Sequence, residues 1–144
     1  VEAPNLQSLE FLDDCRKLTT FLQTLSVQNL TDPKDYKKYV LRNILHINAP
    51  NLLKTSDSNF GEMYQIRFVE LQSVKILSEY SFHMCHNLET AILPKVEEIK
   101  EACFSFCFQL GYVEADELKI LADNCFQQVS AEIYAPQFSG PFGE

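Results

Sequence analysis

Phenylalanine recurs at positions 60, 82, 104 and 126, four times at a spacing of 22 residues. A period of that length predicts a solenoid, in which each repeat is one supersecondary unit that cannot bury its apolar face without its neighbours. It also constrains function. A stack of similar rungs builds a long surface suited to holding a partner and seldom builds a single reaction centre.

The repeat is wider than the phenylalanine. Leu30, Leu52, Val74, Val96 and Leu118 share one phase, and Met63, Cys85, Cys107 and Val129 share another. The strongest element is a triple, apolar-x-x-apolar-x-apolar. It reads Leu22, Leu25, Val27; Ile44, Ile47, Ala49; Ile66, Val69, Leu71; Leu88, Ala91, Leu93; and Leu110, Val113, Ala115. A last rung read as one residue shorter offers Ser130, Ile133 and Ala135, and Val1 with Ala3 read as the tail of another triple. In a chain that is 46% apolar, one such triple arises by chance roughly one time in ten. Five in one register exceed that expectation.

The last two members of each triple are separated by one residue, the alternation of a strand with one buried face. Parallel strands need a crossover of about a dozen residues to return to the same edge, and a 22-residue coil supplies it. The remaining residues form the return arm. Asp32-Pro33 before Lys34 to Arg42 predicts a helix start, with Asp as N-cap and Pro at the first helical position. Leu6, Leu9, Leu12 and Cys15 recur at helical spacing and predict an amphipathic helix in the first arm. The other arms, such as Ser78 to Cys85, are short enough for about two helical turns or a plain turn. The expected fold is therefore an α/β solenoid over residues 1–138, with a parallel sheet on one face and short helices or turns on the return arms. About six rungs are expected, at 6–29, 30–51, 52–73, 74–95, 96–117 and 118–138, followed by a C-terminal loop at 139–144.

The run Val96-x2-Ile99-x2-Ala102-Cys103-Phe104-x2-Cys107-x2-Leu110-x2-Val113-x-Ala115 resembles the leucine-rich repeats of the BspA-like family. The rung from Val74 to Pro94 is similar to the same pattern, with Phe82, Cys85, Leu88, Ala91, Leu93 and Pro94 in place. The resemblance covers residues 44–138 well and 1–43 loosely, departing at Lys38, where the family has Phe, and in the shortened last rung. It implies a leucine-rich-repeat solenoid acting as a binding module, with no enzymatic activity and no cofactor attached to the repeat. BspA-like proteins are typically surface or secreted proteins of bacteria and parasitic protists, often associated with adhesion, and protists carry many intracellular versions. The resemblance thus leaves both the cell surface and the cytoplasm open as locations.

Composition narrows the partners. A chain of 144 residues with 22% charged and 12% aromatic residues is one globular domain. A net charge of −8 argues against nucleic acid or an anionic membrane surface, both of which demand a basic footprint. No run of eighteen apolar residues predicts membrane insertion, and no signal peptide is visible. Ala3-Pro4-Asn5-Leu6 repeats Ala49-Pro50-Asn51-Leu52, so the chain is expected to begin inside a rung. Uncapped rungs would allow end-to-end self-association.

Candidate chemistry is sparse. Of the five cysteines, Cys85 and Cys107 occupy a core phase, Cys103 and Cys125 form a second 22-residue ladder, and Cys15 stands apart. Buried, mostly reduced thiols are expected, although a disulfide between stacked like positions is geometrically allowed. His83, Cys85, His86, Cys103 and Cys107 are ligand types that zinc takes, but their spacing is that of neither a ribbon nor a finger, so no metal is assigned. Cys85 and His86 are adjacent and point apart, which disfavours a nucleophile–base pair. Glu97-Glu98 and Asp13-Asp14 read as solvated surface. With glycine only at 61, 111, 140 and 143, no phosphate-binding loop can be drawn. Asn29-Leu30-Thr31 is a glycosylation sequon that matters only for a secreted chain. The reading is non-catalytic, with no cofactor.

The register yields one functional deduction. If the apolar members of each triple face inward, one outward column is Thr24, His46, Phe68, Thr90, Tyr112 and Glu132, and the next is Ser26, Asn48, Glu70, Ile92, Glu114 and Tyr134. His46, Phe68, Glu70, Thr90, Ile92, Tyr112, Glu114 and Tyr134 are the candidate partner-binding residues. Aromatic groups among polar ones are what interface hot spots look like, and Glu70, Glu114 and Glu132 favour a partner with basic groups. Two functions follow. One is a protein-interaction module using this face. The other is a structural spacer, one stretch of a longer repeat array in a larger assembly such as an intracellular scaffold.

Overall fold

The apolar triples become strands one above another. The computed structural model describes Thr24–Ser26 and residues 44–142, and nine short strands run through them. They are β1 (Thr24–Ser26), β2 (His46–Asn48), β3 (Phe68–Glu70), β4 (Ile76–Leu77), β5 (Thr90–Ile92), β6 (Glu98–Ile99), β7 (Tyr112–Glu114), β8 (Ile120–Leu121) and β9 (Glu132–Tyr134). β1, β2, β3, β5, β7 and β9 form one six-stranded parallel sheet, the front sheet. β4, β6 and β8 form a second parallel sheet. The described residues complete about four turns of a parallel solenoid.

The register of the front sheet is the one the triples predict. Thr24, His46, Phe68, Thr90, Tyr112 and Glu132 align in one column, and Ser26, Asn48, Glu70, Ile92, Glu114 and Tyr134 in another. Between them Ile47, Val69, Ala91 and Val113 are buried in the core. The chain then turns away from the sheet. Amide N–H groups of Leu52, Val96, Leu118 and Phe138 donate to the carbonyls of Ala49, Leu93, Ala115 and Ala135 at 3.1–3.2 Å. Pro50, Pro94 and Pro136 occupy the first central position of three of these turns, where a fixed φ of about −65° is preorganised.

The return arms differ from one alternative in the sequence reading. Among the described residues they are turns and contain no helix. The expected helices at 6–22 and 33–42 lie outside the described residues. Two residues per arm have left-handed backbone, namely Ser58 and Glu62, Tyr80 and Met84, Ala102 and Phe106, Asn124 and Gln128, with φ between 52° and 61°. In each of those pairs both members recur every 22 residues. Ser81 N–H donates to Ser78 O at 3.3 Å and Cys85 N–H to Phe82 O at 3.2 Å, so Tyr80 and Met84 hold the second central position of successive turns. That is the pattern of type II turns. Alternate amides reach outward to the next rung: Tyr80, Phe82 and Met84 N–H donate to Glu101, Cys103 and Ser105 O at 2.9–3.1 Å. The same bonds recur from Ser58, Phe60 and Glu62 and from Ala102, Phe104 and Phe106. A helix would spend these amides within its own arm.

Phenylalanine fills the space under the turns. Phe60, Phe82, Phe104 and Phe126 stack face to face with centroids 5.3, 5.4 and 5.5 Å apart and planes within 10°. The first three are fully buried and Phe126 nearly so. Phe82 and Phe104 each bury both faces against a ring above and a ring below, so the column forms only in register. The buried hydroxyls beside it are satisfied. Thr55 Oγ1 and Ser81 Oγ lie 2.6 Å apart, Ser81 Oγ donates to Ser78 O at 2.7 Å, and Ser105 Oγ donates to Ala102 O at 2.8 Å.

The last rung is shorter by two residues rather than the expected one. Two residues separate Val129 from β9, where four separate Cys107 from β7, and Glu132 pairs with Tyr112 at an offset of 20. At that offset Ser130 takes the register position of Leu110, but it is exposed where Leu110 is buried. Beyond β9, Phe138 stands where Leu52, Val74, Val96 and Leu118 stand in earlier rungs. A Cβ on Gly140 would lie 2.7 Å from Phe138 Cζ, so the Phe138 ring lies against the bare glycine backbone. Phe138 and Phe142, with centroids 5.0 Å apart, pack against the end of the core.

Two stability tests follow. Phe82→Ala removes a ring stacked on both faces and is expected to lower unfolding free energy by about 3–5 kcal/mol, read from urea denaturation; a loss under about 1 kcal/mol would show that the column is not a core element. Gln128→Gly relieves a left-handed residue costing roughly 1–2 kcal/mol against a glycine penalty of about 0.5–1 kcal/mol. It is expected to raise stability by about 0.5–1 kcal/mol, whereas Gln128→Val lowers it.

Candidate protein-interaction face

The eight residues singled out from the sequence come together on the front sheet. His46, Phe68, Thr90 and Tyr112 are consecutive in one column, with Glu70, Ile92, Glu114 and Tyr134 beside them. His46 and Tyr134 are exposed, and the six between are half-buried. The His46 and Phe68 rings meet edge to face with centroids 5.8 Å apart. The face is therefore a continuous strip, rigid because each of its residues alternates with one anchored in the core.

Its electrostatics are acidic. Among the described residues none of Glu70, Glu114 and Glu132 takes part in an ion pair; Glu70 instead accepts a hydrogen bond from Gln72 Nε2 at 2.5 Å. Partial desolvation pushes the Tyr112 phenol above its ordinary range, and the carboxylates of Glu114, Glu132 and Asp116 push it further. The cation nearest this strip in sequence, Arg67, is bound to Glu89 at 2.6 Å on the sheet's border. Such a face, aromatic with unneutralised carboxylates, suits a partner that carries basic and apolar groups.

A second aromatic surface escaped the sequence reading. Tyr64, His86 and Phe108 recur at 22 residues on the turns before the front strands, with ring centroids 5.1 and 5.0 Å apart. Phe106, His83 and Tyr80 continue the chain of rings at 6.1, 5.7 and 5.5 Å. Tyr64 and Phe108 are about half exposed. The 22-residue period was the available signal, and it shows this column once the fourth residue after each phenylalanine is read.

The same geometry places the cysteines and histidines apart. Cys85 Sγ donates to Phe60 O at 3.0 Å and Cys107 Sγ to Phe82 O at 3.1 Å, both inside the core. His86 lies outside between Tyr64 and Phe108, while His83 Nδ1 meets Ser105 Oγ at 2.7 Å. Among the described residues no three His, Cys, Asp or Glu side chains converge as a metal site would require. Burial pushes the Cys103 and Cys107 thiols well up, and it raises Cys125 to about 11. Cys85, Cys103, Cys107 and Cys125 are all buried.

On the second sheet Lys75, Glu97 and Lys119 form a ladder, with Nζ to carboxylate distances of 3.2 and 2.9 Å. Hydrogen bonds from Lys119 and then Lys75 hold Glu97 below the ordinary carboxylate range. The sign follows: the contribution is complete above the unfolded carboxyl pKa and is lost as pH falls through the lowered folded value. Among the described residues no helix is long and apolar enough to cross a membrane.

The BspA type leucine-rich repeat region is matched in six copies over residues 15–132, most of the chain. The chain belongs to the BspA-type leucine-rich repeat family. No curated protein and no solved structure matches it. Leucine-rich repeats of this kind are generally non-catalytic and generally mediate protein interactions, and the described site has the form of a surface rather than a reaction centre.

The buried thiols give a direct check. In the native protein Cys85, Cys103, Cys107 and Cys125 are expected to resist a thiol-specific chromogenic reagent, and all four become reactive on unfolding in denaturant. Rapid native labelling of Cys85 or Cys107, located by peptide mass spectrometry, would contradict the core assignment.

Proposed function

We propose that this BspA-type repeat is a non-catalytic protein-binding module whose front sheet holds the partner. One observation carries the reading. The front columns place Phe68, Ile92, Tyr112 and Tyr134 among Glu70, Glu114 and Glu132, in register and without a neutralising cation among the described residues. Half-buried aromatic groups anchored by a core are the usual anchors of an interface, and the carboxylates select a basic partner. The solenoid of residues 1–138 acts as one domain under this reading, and adhesion at a cell surface is its most specific form.

A second reading, a segment of a longer array within a larger assembly, draws on a groove of about 710 Å³ beside β8. Ile120, Leu121, Phe126, Phe138 and Phe142 line it, on the side where another rung would stack. End-to-end association through such rungs belongs to that reading.

A photoreactive amino acid placed at Thr90 tests the first reading against one at Gln127 on the return arm. The front-sheet position is expected to capture the partner and the return-arm position is not. Phe68→Ala together with Tyr112→Ala should then leave the folded signal in circular dichroism intact and weaken binding of the captured partner by at least about tenfold. Unchanged affinity removes the front sheet from the interaction.

A further inference from the structure

We infer that a second copy of this chain docks on the front sheet with its second sheet, in a front-to-back arrangement that rests on the front sheet being the binding face. The argument is charge complementarity in a shared register. Between residues 44 and 142 there are six basic side chains. Four of them, Lys54, Lys75, Lys100 and Lys119, lie on or directly beside the second sheet, Lys95 sits on the turn between the two sheets, and Arg67 borders the front. The front sheet carries Glu70, Glu114 and Glu132 instead. The molecule is thus acidic and aromatic on one sheet and lysine-bearing on the other.

The two patterns have the same spacing. Glu70 and Glu114 lie two rungs apart with Ile92 between them. Lys75 and Lys119 also lie two rungs apart, with Glu97 between them. Both intervals are therefore about 9.6 Å, twice the interstrand spacing. Each Lys follows the Glu it would meet by five residues of the same coil, so docking the second sheet of one copy on the front sheet of the other without a shift along the solenoid axis pairs Glu70 with Lys75 and Glu114 with Lys119. The apolar positions follow the same period. Ile76 and Ile120 stand exposed two rungs apart, with Glu98 between, and they border a groove of about 210 Å³ shared with Lys75, Glu97 and Lys119. That groove has room for one large side chain and is centred on Glu97 and Glu98, five and six residues after Ile92. Phe68 and Tyr112 of the first copy then fall opposite Ile76 and Ile120 of the second. Glu97 is already neutralised by two lysines and does not oppose the approach.

Front and back are different surfaces, so the contact is heterologous and propagates from copy to copy unless a ring closes. Being built on charge, it weakens with salt. Side-to-side growth of this kind needs neither end of the solenoid.

Sedimentation velocity of the wild-type chain over a rising concentration series is expected to show mass above the monomer at low salt, returning toward the monomer at high salt. Glu70→Lys with Glu114→Lys should make the protein monomeric, and so should Lys75→Glu with Lys119→Glu. An equal mixture of those two variants should associate again, because each reversed face meets a complementary one on the other variant. Ile92→Ser, which keeps all charges, should weaken association at least about tenfold. A wild-type chain that stays monomeric, or a mixture that fails to associate although both variants keep the native circular dichroism, overturns the inference. Capture of a different protein at Thr90 by a strictly monomeric chain likewise overturns it, while leaving the front sheet as the binding face.

Discussion

The hydrogen-bond ladder between rungs is the interaction on which everything else depends. It runs through the front sheet, the second sheet and the return arms, so no side of a rung is satisfied by that rung alone. Amides such as Phe82 N–H find Cys103 O, and Phe104 N–H finds Cys125 O, at 2.9 Å. Because these bonds set one common spacing, the phenylalanine column, the thiol-to-carbonyl contacts and the salt-bridge ladder all inherit the same period. Function inherits it too. A column of outward side chains at fixed spacing is a direct product of the ladder.

Much of this was legible in the residues. Phenylalanine at every twenty-second position gave the rung, and the triples gave the front sheet with its register and its outward columns. That legibility has a physical cause: a strand with one buried face writes its alternation into the sequence. The return arms were less legible because their signal is in the backbone. Glycine would advertise a left-handed turn, but here Ser58, Glu62, Tyr80, Met84, Ala102, Phe106, Asn124 and Gln128 adopt it, and few of these residue types announce it. The inter-rung ladder and the packed phenylalanine offset the local cost. The second sheet was hidden for another reason. Its strands are two residues long, as in Ile76–Leu77 and Glu98–Ile99, too short for alternation to be read.

The candidate site divides along the same line. Its positions follow from register alone, so the strip from His46 to Tyr134 is written in the 22-residue period. Its electrostatics required the fold, because only the structure shows that Arg67 is bound to Glu89 and that the lysines gather on another sheet. The aromatic ring chain from Tyr64 to Tyr80 needed it as well. Those rings lie on turns, where no inward–outward alternation tells an exposed aromatic group from a buried one.

The ladder also sets how the molecule bears load. All its inter-rung hydrogen bonds point along the solenoid axis, so tension applied end to end stretches them in line. Only one rung's bonds resist at a time, and they part in sequence like a zipper. Tension across the axis, within the plane of a rung, instead loads several strands in shear together. A repeat of this design is therefore compliant along its length and stiff across it, and a front sheet gripped from the side keeps its shape while its ends yield.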